Sequence, residues 1–221
     1  MDKTQRPKLL HILKYLCWGK TVARSFFNAT MHTVSVSGKV IDVGSGPRPY
    51  YHNFFERRGV VDFVSMDPKL GDKINFEKDK LPWKTDSIDT VLCMNVLEHI
   101  YNHNHLMQEM TRILKPDGSF VMFVPFFVVY HPDPGFSLDC FRYARDGLEK
   151  IAGDAGLRNV RIEEVGMAMF VVSANLILQS LPRFLRPILF LPAYVLDAFL
   201  VKIKPKYRKQ FPLGYMLYAT K

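Results

Sequence analysis

A chain of 221 residues, 48% hydrophobic and 23% charged, can bury one full α/β core with additions but not two large domains. Its three cysteines (Cys17, Cys93, Cys140) are scattered, odd in number and not in metal spacing, which argues against a disulfide framework or zinc site and for a reducing, cytosolic setting. The net charge of +9 is concentrated at the ends: residues 1–39 carry +6, residues 183–221 carry +7, and 40–182 sum to −4, so anionic partners are expected at the ends.

Pro7–Trp18 (PKLLHILKYLCW) places Leu9, Leu10, Ile12, Leu13, Leu16 and Cys17 near one helical face, with Lys8 and Lys14 beside it. Lys14 interrupts the apolar run and no small-residue cleavage pattern follows, which argues against a signal peptide. Lys39–Pro49 (KVIDVGSGPRP) reads as a buried strand with one acidic residue, Asp42, breaking into Gly44-Ser45-Gly46. A loop of this kind lets a ligand meet bare backbone. A second strand, Val60–Met66, ends in Asp67, 21 residues beyond Gly46 and at the distance where a carboxylate can accept from both hydroxyls of a ribose.

Leu81-Pro82-Trp83 and Asp86-Ser87-Ile88-Asp89 lead into a central strand, Thr90–Met94, with Asn95-Val96-Leu97-Glu98-His99-Ile100 at its carboxyl end. The helix-period segment Leu106–Leu114 is stopped by Lys115-Pro116-Asp117-Gly118, and Ser119–Val124 is the next strand. Pro125–Tyr130 runs into His131-Pro132-Asp133-Pro134 and then Asp139-Cys140-Phe141-Arg142-Tyr143, followed by a helix over Arg145–Ala155 and a strand over Arg158–Val165. Val165–Pro182 and Pro187–Leu196 contain no charged residue, and Lys202–Lys209 is strongly basic. Polar and proline breaks argue against a spanning helix, and two apolar helices lying in a membrane interface with basic ends on anionic headgroups fit better. A buried helical cover or a homodimer face is the other reading. Phe211–Thr220 reads as a final strand.

The succession IDVGSGPRP, MDP, LPWKTDSIDTVLCMNVLEHI and ILKPDGSFVMFVP resembles the class I S-adenosylmethionine-dependent methyltransferases, over roughly Lys39 to Gly166 plus the last strand. Dehydrogenases with a Gly-x-Gly-x-x-Gly turn lack the LPW…D…LEH block. The His-Pro…Asp-x-x-Arg-Tyr stretch is similar to a bacterial branch of the methyltransferase type 11 kind. The resemblance implies a Rossmann-like, doubly wound α/β fold: a seven-stranded, mostly parallel sheet with an antiparallel C-terminal strand, plus accessory apolar helices. The implied organisation is a basic N-terminal helical segment (1–38), the methyltransferase core (39–166), an apolar and basic helical insertion (167–209) and the core's last strand (210–221). The family often lays an N-terminal helix across its cofactor site.

For S-adenosylmethionine, the resemblance assigns Asp42, Gly44, Ser45 and Gly46 to the methionine end, Asp67 to the ribose and Pro68 to the adenine. Asn75 and Phe76 fall at the adenine edge, and Asn95 and Glu98 near the methyl-transfer site. Two departures stand out: Pro47-Arg48-Pro49 replaces the third glycine of the first motif, and Asn75 replaces an acidic residue.

In-line alignment supplies much of the rate of such a transfer, and a hydroxyl acceptor also needs its proton removed. His131 is the preferred candidate base and His99 the second; Asp139 and Arg142 either pair to hold their loop or bind an acidic acceptor. His99, His103 and His105 read as a solvated helix start, so no metal is expected. The expected enzyme O-methylates a small-molecule or lipid-linked amphiphilic acceptor, docked peripherally on the cytoplasmic face of a membrane through 1–38 and 167–209. The alternatives are an RNA methyltransferase, against which the apolar-rich basic segments argue, and an inert methyltransferase-fold membrane partner.

Overall fold

In the strands, alternation of side chains decides the layering. The computed structural model describes residues 7–46, 49–66, 74–132 and 138–221. In β1 (Ser35–Val43), Ile41 and Val43 enter one hydrophobic cluster and Val40 the other; in β3 (Ile88–Met94), Val91 and Cys93 oppose Leu92 and Met94; in β4 (Leu114–Pro125), Phe120, Met122 and Val124 oppose Val121 and Phe123. Both faces are therefore apolar, as a parallel sheet covered on both sides requires. With β2 (Glu56–Met66), β5 (Arg158–Val165) and β6 (Gly214–Thr220), the strand order is β2-β1-β3-β4-β6-β5. β1 to β4 pair in parallel, and β6 runs antiparallel to both neighbours.

Among the described residues the sheet has six strands where seven are expected. Residues 67–73, between β2 and the turns at Phe76–Lys78, lie outside the described set. β1 starts at Ser35, before the expected Lys39, and Lys115–Gly118 forms a break in the β3–β4 register, with Asp117 at φ 59°.

One face is covered by α3 (His103–Ile113) and α4 (Arg145–Asp154), whose Leu106, Met107, Met110, Leu148 and Ala152 fill the first cluster. The other is covered by α1 (Leu9–Cys17), α2 (Val22–Met31), α5 (Met169–Leu178) and α6 (Arg186–Ile203), through Leu16, Phe26, Phe27, Val171, Leu178 and Phe190. A short α7 (Lys206–Gln210) leads to β6. The N-terminal segment is thus two helices. α2 is capped by Thr21, whose Oγ1 accepts from the Arg24 N–H at 3.2 Å.

Among the described residues, the crossover from β1 to β2 contains only a 3₁₀ turn at Tyr50–Asn53. Tyr51 and Phe55 pack with Phe27 in the second cluster, so α2 covers the face that a crossover helix would otherwise cover. The apolar insertion is likewise woven into the protein. Buried Asn175 on α5 accepts from the Ala23 N–H at 2.8 Å and donates to Phe127 O at 3.1 Å. Buried Asp197 on α6 accepts from the N–H groups of Ala168, Phe170 and Val171 at 2.8–3.1 Å, which caps α5.

Candidate functional site

Two constellations lie at the carboxyl ends of the central strands, where open α/β sheets place ligands. The first is built on Asp42, the penultimate residue of β1, which is 0% exposed. Its Oδ2 accepts from the Tyr51 hydroxyl at 2.7 Å and from His52 Nε2–H at 2.5 Å, while Oδ1 is buried without a hydrogen-bond partner among the described residues. A buried carboxylate oxygen left unpaired is costly, so Oδ1 is a ready acceptor for a ligand's donor. Burial and the facing Asp42 carboxylate hold the Tyr51 phenol protonated, as a donor. Gly44 follows at φ +70°, and a Cβ there would lie 2.5 Å from Val96 Cγ2. The loop backbone therefore runs against the β3 loop with no room for a side chain.

The second constellation is built on the loop after β3. Asn95 takes φ 57° and donates its N–H to Phe123 O at 3.0 Å, turning the chain into a 3₁₀ turn at Leu97–His99. That turn points Glu98 inward: it is 0% exposed and neither carboxylate oxygen has a hydrogen-bond partner. Burial pushes the Glu98 carboxyl up to about 8, opposed in part by the charge of Arg142. Cys93, beneath both constellations, has its thiol held protonated by burial and by the charges of Glu98 and Asp42.

The loop after β4 brings His131 to His99, with ring centroids 5.2 Å apart and near perpendicular. His99 Nδ1 contacts Leu138 O at 2.5 Å and His131 Nδ1 contacts Val129 O at 2.9 Å. A carbonyl only accepts, so each Nδ1 meets it as an N–H, which in a neutral ring leaves the lone pair on Nε2; Arg142 Nη2 also approaches His131 Nδ1 at 3.4 Å. Burial lowers the His99 pKa, favouring its neutral ring. Asp139 and Arg142 pair through two contacts, at 2.5 and 2.6 Å, and Asp139 also accepts from the His131 N–H at 2.9 Å. Arg142 holds the Asp139 carboxyl down to about 2. The N–H groups of Cys140 and Phe141 donate to Glu98 O, and Tyr143 OH donates to Leu97 O. Asp139 and Arg142 thus hold the loop.

Of the expected cofactor residues, Asp42, Gly44, Ser45 and Gly46 stand together at the end of β1, and Asn95 and Glu98 at the end of β3. Asn75 is exposed and its Oδ1 accepts from the Glu77 N–H at 2.9 Å, while Phe76 turns into the core. Asp67 and Pro68 lie outside the described residues. Tyr51 and His52 are the members that the sequence reading missed. Their signal was the aromatic run Tyr50-Tyr51-His52 after the Pro-Arg-Pro break, close enough to turn back on Asp42. His99 departs from the expected solvated helix start: it joins Glu98 and His131, whereas His105 contacts Asp79 O at 3.0 Å.

Residues 41–122 match the methyltransferase domain family. An uncharacterized methyltransferase from Mycobacterium sp. (strain JLS) is 29% identical over 108 residues, covering 43% of this chain and 42% of that protein. Over this stretch the chain is similar to S-adenosylmethionine-dependent methyltransferases. Another relative, an uncharacterized methyltransferase from Mycolicibacterium vanbaalenii, is 29% identical over 97 residues, 38% of this chain and 37% of its own. The chain therefore aligns with less than half of the length of either relative. A solved S-adenosylmethionine-dependent methyltransferase from Archaeoglobus fulgidus superposes with a TM-score of 0.51 at 15% identity, covering 90% of this chain and 94% of that one. A chain of the Haloferax volcanii complex between the Trm112 methyltransferase activator and a methyltransferase gives 0.50 at 17% identity, covering 95% and 96%. At these identities the chain shares the fold of both.

Proposed function

We propose that the protein is a methyltransferase that uses S-adenosylmethionine to O-methylate a lipid-linked or otherwise amphiphilic acceptor at a membrane surface. The observation that carries the cofactor half is the unpartnered, fully buried Oδ1 of Asp42 beside the tight Gly44 turn. S-adenosylmethionine supplies an electrophilic methyl when bound. Asp42, Gly44, Ser45 and Gly46 would hold its methionine end, with Asn95 and Glu98 beside the transfer site and Asp67 on the ribose. The Glu98–His99–His131 cluster would prepare the acceptor hydroxyl, with His131 or His99 as its base.

The membrane half rests on α6. Ile188, Val195 and Phe199 share one helical face and are 61%, 62% and 65% exposed, whereas Phe190 and Asp197 on the opposite face are buried. An apolar face turned outward marks an interaction surface. Exposed Lys202, Lys204, Lys206 and Lys209 follow it, as an anionic headgroup layer would require. Among the described residues no helix is long and apolar enough to cross a membrane, so the contact would be peripheral. A homodimer through the same face is the competing occupant.

Calorimetric titration with S-adenosylmethionine and S-adenosylhomocysteine tests the first half. Saturable binding is expected, weakened by at least about tenfold in Asp67→Ala, since a carboxylate on a ribose diol makes charge-assisted hydrogen bonds. Absence of binding to folded wild type would overturn it. Flotation with anionic liposomes tests the second half. Wild type should float and the triple variant Ile188→Ser, Val195→Ser, Phe199→Ser should not, with unchanged thermal stability. Equal flotation of both, or a salt-insensitive dimer lost in the variant without any lipid binding, would sink the membrane assignment.

A further inference from the structure

Beyond the methyltransferase assignment, the geometry points to a divalent transition-metal site formed by Glu98, His99 and His131. One ligand atom from each of the three lies within 4.8 Å of the others, close enough for one ion to bridge them. A carboxylate with two imidazoles is a donor set suited to Mn²⁺, Fe²⁺ or Zn²⁺ with coordination positions left open.

Two independent features favour a bound cation over a chance cluster. Glu98 is completely buried, yet both of its carboxylate oxygens lack a hydrogen-bond partner. A carboxylate in that position has no directly bonded cation among the described residues: His99 Nε2 is 3.8 Å away and Arg142 acts on it only through space. The second feature is the orientation of the two histidines. Backbone carbonyls of Leu138 and Val129 face the two Nδ1 atoms, which in neutral rings leaves Nε2 free to ligate; Arg142 Nη2, 3.4 Å from His131 Nδ1, is the competing contact on the second ring. Metal-ligating histidines are oriented by such hydrogen bonds from the other ring nitrogen. The Asp139–Arg142 pair and the backbone bonds to Glu98 O then tie the two ligand-bearing loops together.

The ligands come from the carboxyl ends of β3 and β4, adjacent parallel strands, which places the ion on the same edge as the Asp42 constellation. Its role there rests on the methyl-transfer reading; its binding does not. Bound to the ion, an acceptor hydroxyl would lose its proton to solvent more readily. The oxygen lone pair would form the O–CH₃ bond as the S–CH₃ bond breaks, its electron pair remaining on sulfur. His131 Nε2 would then serve as a ligand and not as the base, so the ion replaces a histidine general base in this chemistry.

The test uses the full chain after dialysis against a chelator, with Mn²⁺ titrated by electron paramagnetic resonance and Zn²⁺ by calorimetry. One equivalent of saturable binding is expected. Glu98→Gln and His131→Ala should each weaken it at least tenfold, and His105→Ala should not. His131 is on an exposed loop, so His131→Ala preserves the fold even if Glu98→Gln does not. Zn²⁺ should raise the melting temperature of wild type and not that of His131→Ala. No saturable binding of either ion, or equal binding by wild type and His131→Ala, overturns the site. Ion binding without S-adenosylmethionine binding would uphold the metal site while overturning the methyl-transfer reading. Cofactor binding without ion binding would do the reverse.

Discussion

Asp42 and Gly44 show how two neighbouring residues prepare a loop for a ligand. Asp42 satisfies two donors with one oxygen and leaves the other buried and free, while Gly44 lets the backbone turn at φ +70° against Val96. Alanine at 44 would meet both a left-handed backbone and a 2.5 Å contact with Val96 Cγ2. The first costs about 1–2 kcal/mol and the second adds about 1–3 kcal/mol. Gly44→Ala is therefore expected to lose about 3 kcal/mol in urea unfolding. Adding Val96→Ala should recover only the steric part, seen as a coupling of about 1 kcal/mol between the two changes. Strict additivity would mean that the Val96 contact does not constrain the turn. Asp42 and the glycines were legible as a strand breaking into a turn. The partners of Asp42 were not, because a hydrogen bond from Tyr51 or His52 depends on how the 3₁₀ turn folds back.

At the level of elements, α5 and α6 have two faces with different partners. Val171, Val172 and Phe190 seal the sheet, whereas Ile188, Val195 and Phe199 face outward. The joint between the helices is Asp197, whose carboxylate meets three N–H groups at the start of α5. Capping interactions and hydrogen bonds to a charged group are each worth about 1–2 kcal/mol. Asp197→Ala should destabilise the protein by about 2 kcal/mol and speed hydrogen exchange in the first turn of α5, with Asp197→Asn intermediate because its amide still offers one acceptor. Unchanged exchange in α5 would show that packing alone positions the helix. The sequence marked this region as uncharged and apolar, which is equally compatible with a buried cover and an outward surface. Helical phase separates the two only once the buried side is known.

For the molecule as a whole, the second hydrophobic cluster joins the N-terminal helices, the apolar insertion and one complete sheet face. The terminal segments are thus structural as well as basic, and α2 covers a crossover whose described residues form a 3₁₀ turn. The sequence by itself determined the mostly parallel α/β core and its resemblance to the methyltransferases, because buried strands read as apolar runs and several end in a loop with a definite chemical signature. It also located most of the residues at the strand ends. Only the tertiary structure decided which of them meet. His99 lies beside His103 and His105 in the chain but faces Glu98 and His131 in space, because adjacent parallel strands deliver the ends of distant segments to one edge of the sheet.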